Sequence, residues 1–330
     1  MPYTPVGVAS TSAGLAHGVV AYYNRSALDN LFANCIFDRA CNEYTLPRNN
    51  GKTVQMFRYD LFGTNTTANA SEGTVGSQGP TVRSKILLCS VAQYDDFVST
   101  SDFNMMTSID PALENYSRLL GIQAGLSVDT IIRTEFDNAQ ASTAITLTGT
   151  SLKRADLGII RAKLAGRNVK PHPVANGNYL VFVHPNITYD LTNDPTAGGW
   201  LDVNKTADPT SATLKKMDFQ GVIGMANGCK VVETTNGYVS GTTCRTYGFG
   251  ADCAGIVKLA GAGPSTGNAD PSNFKISMVR GGTPSIPDPT GVIGGIVSYK
   301  FYFGTMLLGG ASQIGDVYRH VTAETVTSIS

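Results

Sequence analysis

Charge is scarce in this sequence. Asp, Glu, Lys and Arg together make up 15% of its 330 residues, where an ordinary soluble domain carries about 25%. A freestanding surface usually needs more charge than that to stay soluble; a surface covered by neighbours does not. Neither sign is in excess, because 25 basic residues meet 25 acidic ones. That balance excludes the basic footprint of a dedicated nucleic-acid binder. Long apolar runs are also missing: no stretch reaches the ~18 apolar residues of a membrane-spanning helix. The first residues, MPYTPVGVASTSAGLAHG, lack a basic start followed by an apolar block, so no secretory signal is expected. Six cysteines (Cys35, Cys41, Cys89, Cys229, Cys244, Cys253) are scattered through the chain, and reduced, mostly buried thiols are expected.

Catalytic constellations are absent as well. The four histidines, His17, His172, His184 and His320, have no H-x-x-x-H spacing, no C-x-x-C partner and no carboxylate cluster beside them, so no metal site is expected. No G-x-x-x-x-G-K-[ST] cradle exists for phosphate. Gly248-Phe249-Gly250 lacks the third glycine and the following acidic residue of a dinucleotide fingerprint. Gly263-Pro264-Ser265-Thr266-Gly267 matches the G-x-S-x-G of serine hydrolases, but Asn268, Asp270 and Pro271 follow it. The nucleophile elbow needs a helix there, so a surface loop is the better reading. His184 ends an apolar strand and is expected to hydrogen-bond a neighbouring loop. Asp95-Asp96 suits a strand end facing solvent or pairing with Arg better than a cation site at a subunit junction. The sequence reads as no enzyme and calls for no cofactor.

What is present is a set of elements that do not add up to a small compact body. Length and 42% hydrophobic residues allow one large domain or two to three smaller ones. Residues 1–50 lack a long clean period, apart from a helix at Ser26–Cys35 carried by Leu28, Leu31, Phe32 and Cys35; the rest reads as an extended arm. Residues 52–62 and 81–98 alternate and are rich in β-branched and aromatic types, the pattern of two strands. Between them lies GTNTTANASEGTVGSQGP, residues 63–80, far longer than a usual hairpin loop. Strands of about ten residues would project this tip by over ~30 Å. An isolated two-stranded hairpin is marginal in water, so the arm needs a docking surface.

A long helix follows over residues 108–139. Asp110 and Pro111 form its start, and Leu113, Tyr116, Leu120, Val128, Ile131, Ile132 and Phe136 form its apolar stripe. About 28 residues would span ~42 Å. Residues 150–168 read as a second helix, with Ser151 as its cap and Gly166 at its end. Strands are expected at 179–185, 228–235, 254–261 and 291–308, with the tail VYRHVTAETV pairing beside the last. Residues 192–227 and 262–290 read as loops.

Short motifs, in order along residues 50–310, add a resemblance. N-G-K-T-V-x-M-x-R-Y leads into the hairpin (Asn50 to Tyr59), Glu72-Gly73 sits at the tip, and D-F-V-x-x-S-D leads out (Asp96 to Asp102). Downstream come His184-Pro185, Asp190-Leu191, Asp194 and Trp200, then Gly221-Val222-Ile223-Gly224, Gly228 and Val231 to Thr234. Tyr247-Gly248-x-Gly250-Ala251-Asp252, Asp288-Pro289 and Lys300-Phe301-x-Phe303-Gly304 complete the series. It resembles the major capsid proteins of tailed phages with the Hong Kong 97 fold, in particular the family typified by podovirus N-four. Tyr299 stands where that family often has Trp.

The resemblance implies an α+β, Hong Kong 97-type capsid fold with five parts. These are an N-terminal arm (1–50), an extended hairpin loop (51–104), a peripheral domain with the spine helix (105–172), an axial domain (173–285) and a C-terminal return to the peripheral domain (286–330). It implies a structural protein of the virion that assembles with itself, in the host cytoplasm, into hexamers and pentamers of an icosahedral shell. A separate scaffolding protein, a portal, a decoration protein and non-specific packaged DNA on the inner surface would be its partners, with no membrane. Arg58, Glu72, Gly73 and Arg83 are the candidate inter-subunit residues, and no Lys–Asn cross-link through Lys52 or Lys85 is expected. The competing reading is a β-rich surface or adhesion-type binding protein, which accounts for the Gly, Thr and Asn content but calls for a secretion signal.

Overall fold

The computed structural model describes residues 36–47, 49–59, 62, 66, 82, 84–107, 112–147, 149, 151–194, 222–259, 274–280, 292–310 and 318–328. The expected helix at Ser26–Cys35, the Asp110-Pro111 start, the motif around Ser265 and all of the tip 63–80 except residue 66 lie outside them.

The chain enters through a 3-10 turn, Phe37–Ala40, and β1 (Cys41–Leu46). Of the stretch read as an arm, these residues are built into the body. Phe37 is fully buried and meets Phe182 and Tyr247 edge-on, with ring centroids 5.1 and 5.5 Å apart. β2 (Thr53–Tyr59) and β3 (Ser84–Ser90) form the hairpin, Thr53 opposite Ser90 and Tyr59 opposite Ser84. The sequence reading carries the second strand unbroken to residue 98. The chain instead turns at Val91, whose N–H donates to the Lys52 carbonyl at 2.8 Å, and β4 (Ala92–Ser101) joins another sheet. Seven paired residues make a ribbon of ~23 Å, shorter than ten-residue strands would.

α1 (Asp102–Thr107) and α2 (Ala112–Asn138) follow. The 27 residues of α2 rise ~40 Å, and the stripe expected from sequence is its buried face: Leu113, Leu120, Val128, Ile132 and Phe136 all lie in the core. After α3 (Gln140–Thr143) and β5 (Ala144–Ile145) comes α4 (Arg154–Gly166). Its cap is Lys153 and not Ser151, because Asp156 folds back to accept the Lys153 N–H at 2.9 Å. β6 (Tyr179–Val183) is buried throughout, and α5 (Pro185–Thr192) comes directly after it. That helix was not foreseen. His184 starts it: Nδ1 accepts the Asn186 N–H at 3.3 Å, and Pro185 supplies the preset first helical residue. His172 starts the short turn Pro173–Ala175 the same way, accepting the Val174 N–H at 3.3 Å.

The remaining elements are strands: β7 (Val222–Ala226), β8 (Cys229–Glu233), β9 (Val239–Ser240), β10 (Thr243–Phe249), β11 (Ala254–Leu259), β12 (Phe274–Arg280), β13 (Ile293–Leu307) and β14 (His320–Val326). One sheet runs β1-β11-β13-β12, with β4 also on β13; the other runs β5-β14-β10-β6-β8-β7, with β9 on β10. The tail expected beside residues 291–308 is in the second sheet instead, with Thr243 opposite Val326. β7 and β12 fall inside stretches read as loops, where glycine and proline nearby hid the strand pattern.

One core joins the two sheets to α2. Phe136 and Phe37 share one cluster with Phe182, Tyr247 and Phe249 of the second sheet and Val297 and Phe301 of the first. A second core lies under α4, where Leu157, Ile160 and Leu164 cover Val181, Val231 and Val321. Gly248 is needed there: a Cβ would meet Ile160 Cγ2 at 2.6 Å. The glycine that mimics a dinucleotide motif thus lets α4 lie on β10.

Candidate assembly surface

The hairpin has two faces with different fates. Strand alternation sends Val54, Met56 and Arg58 of β2 and Lys85, Leu87 and Cys89 of β3 to one side. Val54, Met56, Leu87 and Cys89 pack there on Leu46, Val257, Met306 and Leu308. So the root docks on its own chain. Gly304 allows it, since a Cβ at this position would meet the Ser90 carbonyl oxygen at 2.8 Å and Cys89 Sγ at 3.0 Å. Asn49 and Gly51, with φ of 63° and 82°, make the turn that leads in; the left-handed region favours these residue types.

The opposite face carries Phe57, Tyr59, Ile86 and Leu88, exposed by 65%, 68%, 52% and 60%. Phe57 lies directly opposite Ile86, and Leu88 opposite Gln55. An apolar ribbon of this kind on a protein so poor in charge is the kind of patch that marks interaction surfaces. Further large apolar groups stand free on α1, Phe103 and Met106, and on β4, Phe97. Sequence reading singled out the charged residues of the arm and missed this ribbon. The signal was present: the run Ile86-Leu87-Leu88 and the pair Met56-Phe57 put apolar residues on both faces, more than one core needs.

Arg58 lies on the inward face, where its Nη1 donates to the Leu308 carbonyl of the same chain. It anchors the root. Glu72, Gly73 and Arg83 lie outside the described residues. Asp95 and Asp96 sit side by side within β4 and therefore point to opposite faces. Asp96 accepts from Gln123 Nε2 at 2.6 Å on the α2 side, while Asp95 stands opposite Lys300. They cannot share a cation, and no cluster of three metal-ligating side chains exists among the described residues. Among the described cysteines all five are free, and four are buried. Burial pushes the Cys89 thiol up to about 11 and those of Cys229 and Cys253 to about 12, so they are not thiolates at neutral pH. No helix among the described residues is long and apolar enough to cross a membrane.

No family model matches the chain, and no curated protein does. Solved structures match it closely in shape. The capsid of Ralstonia phage GP4 superposes with a TM-score of 0.63, covering 90% of this chain and 92% of that one at 12% identity. The capsid of cyanophage P-SCSP1u gives 0.56, covering 90% and 89% at 13% identity. The capsid asymmetric unit of cyanophage Pam1 gives 0.54, covering 86% and 87% at 13% identity. The chain has the α+β fold of phage capsid proteins, as its motif series led one to expect. Identities this low carry the fold and leave the narrower resemblance to the N-four family where the motifs put it.

Proposed function

We propose that this chain is a structural major capsid protein, located in the virion, that assembles into hexamers and pentamers of an icosahedral shell around double-stranded viral DNA. The observation that carries the reading is the hairpin: one face is docked on its own subunit, and the other is apolar and bare on a fold shared with phage capsids. Each copy would place that ribbon on the next, a head-to-tail contact that closes into a ring. Many modest contacts acting together then hold the shell. The adhesion-type reading has no such support, and nothing in the described residues calls for catalysis.

In this reading α2 and the first sheet form the peripheral domain, and the second sheet with α4 and α5 forms the axial domain. On this reading β5 and β14, which pair within the second sheet, and α4, which packs on it, would go with the axial side. A separate scaffolding protein, a portal and a decoration protein complete the particle, which assembles in the host cytoplasm. DNA meets the inner surface without base readout. Arg58, Glu72, Gly73 and Arg83 remain contact candidates, and the shell needs no Lys–Asn cross-link.

Sedimentation and negative-stain electron microscopy of the purified chain, alone and with a co-expressed scaffolding protein, test the reading. Rings, tubes or closed shells are the expected products. A chain that stays at ~35 kDa under both conditions and at high concentration would sink it.

A further inference from the structure

The first described residues are held on α2 chiefly by side chains. Asp129, fully buried in the middle of α2, accepts the N–H of Ile36 at 2.9 Å and that of Phe37 at 2.7 Å on Oδ1. Its Oδ2 accepts from Asn236 Nδ2 at 2.9 Å. From the other side, Cys253 Sγ donates to the Ala40 carbonyl at 2.9 Å and Cys41 Sγ to the Phe37 carbonyl at 3.5 Å. Phe37 itself sits among Phe136, Phe182, Tyr247 and Phe249.

Asp38 belongs to the same turn and feels the charge of Asp129. Its Oδ1 is buried and has no hydrogen-bond partner among the described residues. Two carboxylates in one seat repel, and the one with fewer donors holds the proton. Three N–H donors satisfy Asp129 as an anion, so the proton belongs to Asp38. Two of the cations nearby have partners of their own. Lys258 on β11 pairs with Glu43 at 2.6 Å, and Arg133 on α2 donates to the Asn236 carbonyl at 2.8 Å. Arg39 lies on the turn itself. Burial, with Asp129 second, outweighs Arg39 and Lys258 and pushes Asp38 up to about 6; burial raises Asp129 as well. His172, which borders the same turn through the Ala40 carbonyl, is pushed down by burial.

We propose that Asp38 is a proton-operated latch for the segment 36–41: its carboxylic acid keeps the segment seated on α2 beside Asp129, and loss of the proton to solvent loosens that seat. The step is one ionisation, with the electron pair left on the carboxylate and the proton taken up by water. The latch is a property of the single chain and does not rest on the capsid reading. Its sign follows from the raised value: the added firmness is full below the released value of ~4 and is lost as pH rises from there through the folded value of about 6.

Hydrogen–deuterium exchange of the full chain at pH 5.0 and 7.5, corrected for the intrinsic exchange rate, reads the seat directly in peptides covering residues 36–41. Protection should fall about tenfold between the two pH values, the factor for a group titrating near 6 when seated and near 4 when released. In Asp38→Asn the protection should be the same at both. If that variant folds poorly, Asp38→Ser serves with the same expectation. Wild-type protection that is flat across this range overturns the latch, and so does a variant that keeps the full pH dependence.

Discussion

His320 is fully buried, with Phe136 and Tyr318 against its ring at centroid distances of 4.9 and 5.7 Å. Neither ring nitrogen has a hydrogen-bond partner among the described residues. Burial, helped by the Arg167 guanidinium nearby, pushes it down to about 3. A base with a depressed folded value takes up no proton in the folded chain while the unfolded chain takes one below ~6.5. Its contribution is therefore present above that value and is lost as pH falls, by up to ~1.4 kcal/mol per pH unit. Asp38 acts with the opposite sign, adding stability as pH falls through about 6. In global unfolding the two partly offset each other, so the wild-type urea profile alone tests neither, unlike local exchange at residues 36–41. His320→Phe separates them: its stability at pH 5 relative to pH 7.5 should exceed the wild-type difference by about 2 kcal/mol, measured by urea unfolding of the unassembled chain. Parallel profiles for the two proteins would mean that His320 does not titrate between the states.

At the scale of elements, the two faces of the hairpin make separable predictions. Gly304→Val drives a side chain into the Ser90 backbone and Cys89, so the root should lift and the chain should lose about 1–3 kcal/mol. Phe57→Ser with Ile86→Ser alters only exposed positions and should change unfolding by less than ~0.5 kcal/mol per site, yet should prevent ring formation. If the outer-face pair assembles normally, the ribbon is not the interface. The same hairpin shows how far sequence reading goes. Alternation and the apolar stripe of α2 were legible because period alone sets which residues face the core. The break at Val91 was not, because the Lys52 carbonyl that holds it lies far back along the chain. Nor was the place of β14. Pairing with β10 is decided by tertiary register, and a short strand such as HVTAETV fits either sheet equally well by pattern. α5 escaped for a local reason, since a histidine cap before proline is not among the usual Ser, Thr, Asp or Asn starts.

For the whole molecule, the low charge and the bare apolar ribbon point to the same driving force. Contacts made by buried apolar area are not screened by salt, whereas contacts made by exposed ion pairs are. Arg58 spends its Nη1 donor on the carbonyl of Leu308 within its own chain. Shell or ring formation should therefore persist, with no loss of yield, when sodium chloride rises from about 0.05 M to 0.5 M, a range in which the Debye length shrinks from about 14 Å to 4 Å. Cooling should weaken assembly, because apolar burial loses strength at low temperature. Light scattering at fixed protein concentration across both variables distinguishes the cases. Yield that collapses with salt and survives cooling would transfer the interface from the ribbon to charged residues of the arm, with Glu72 and Arg83 the first to reverse.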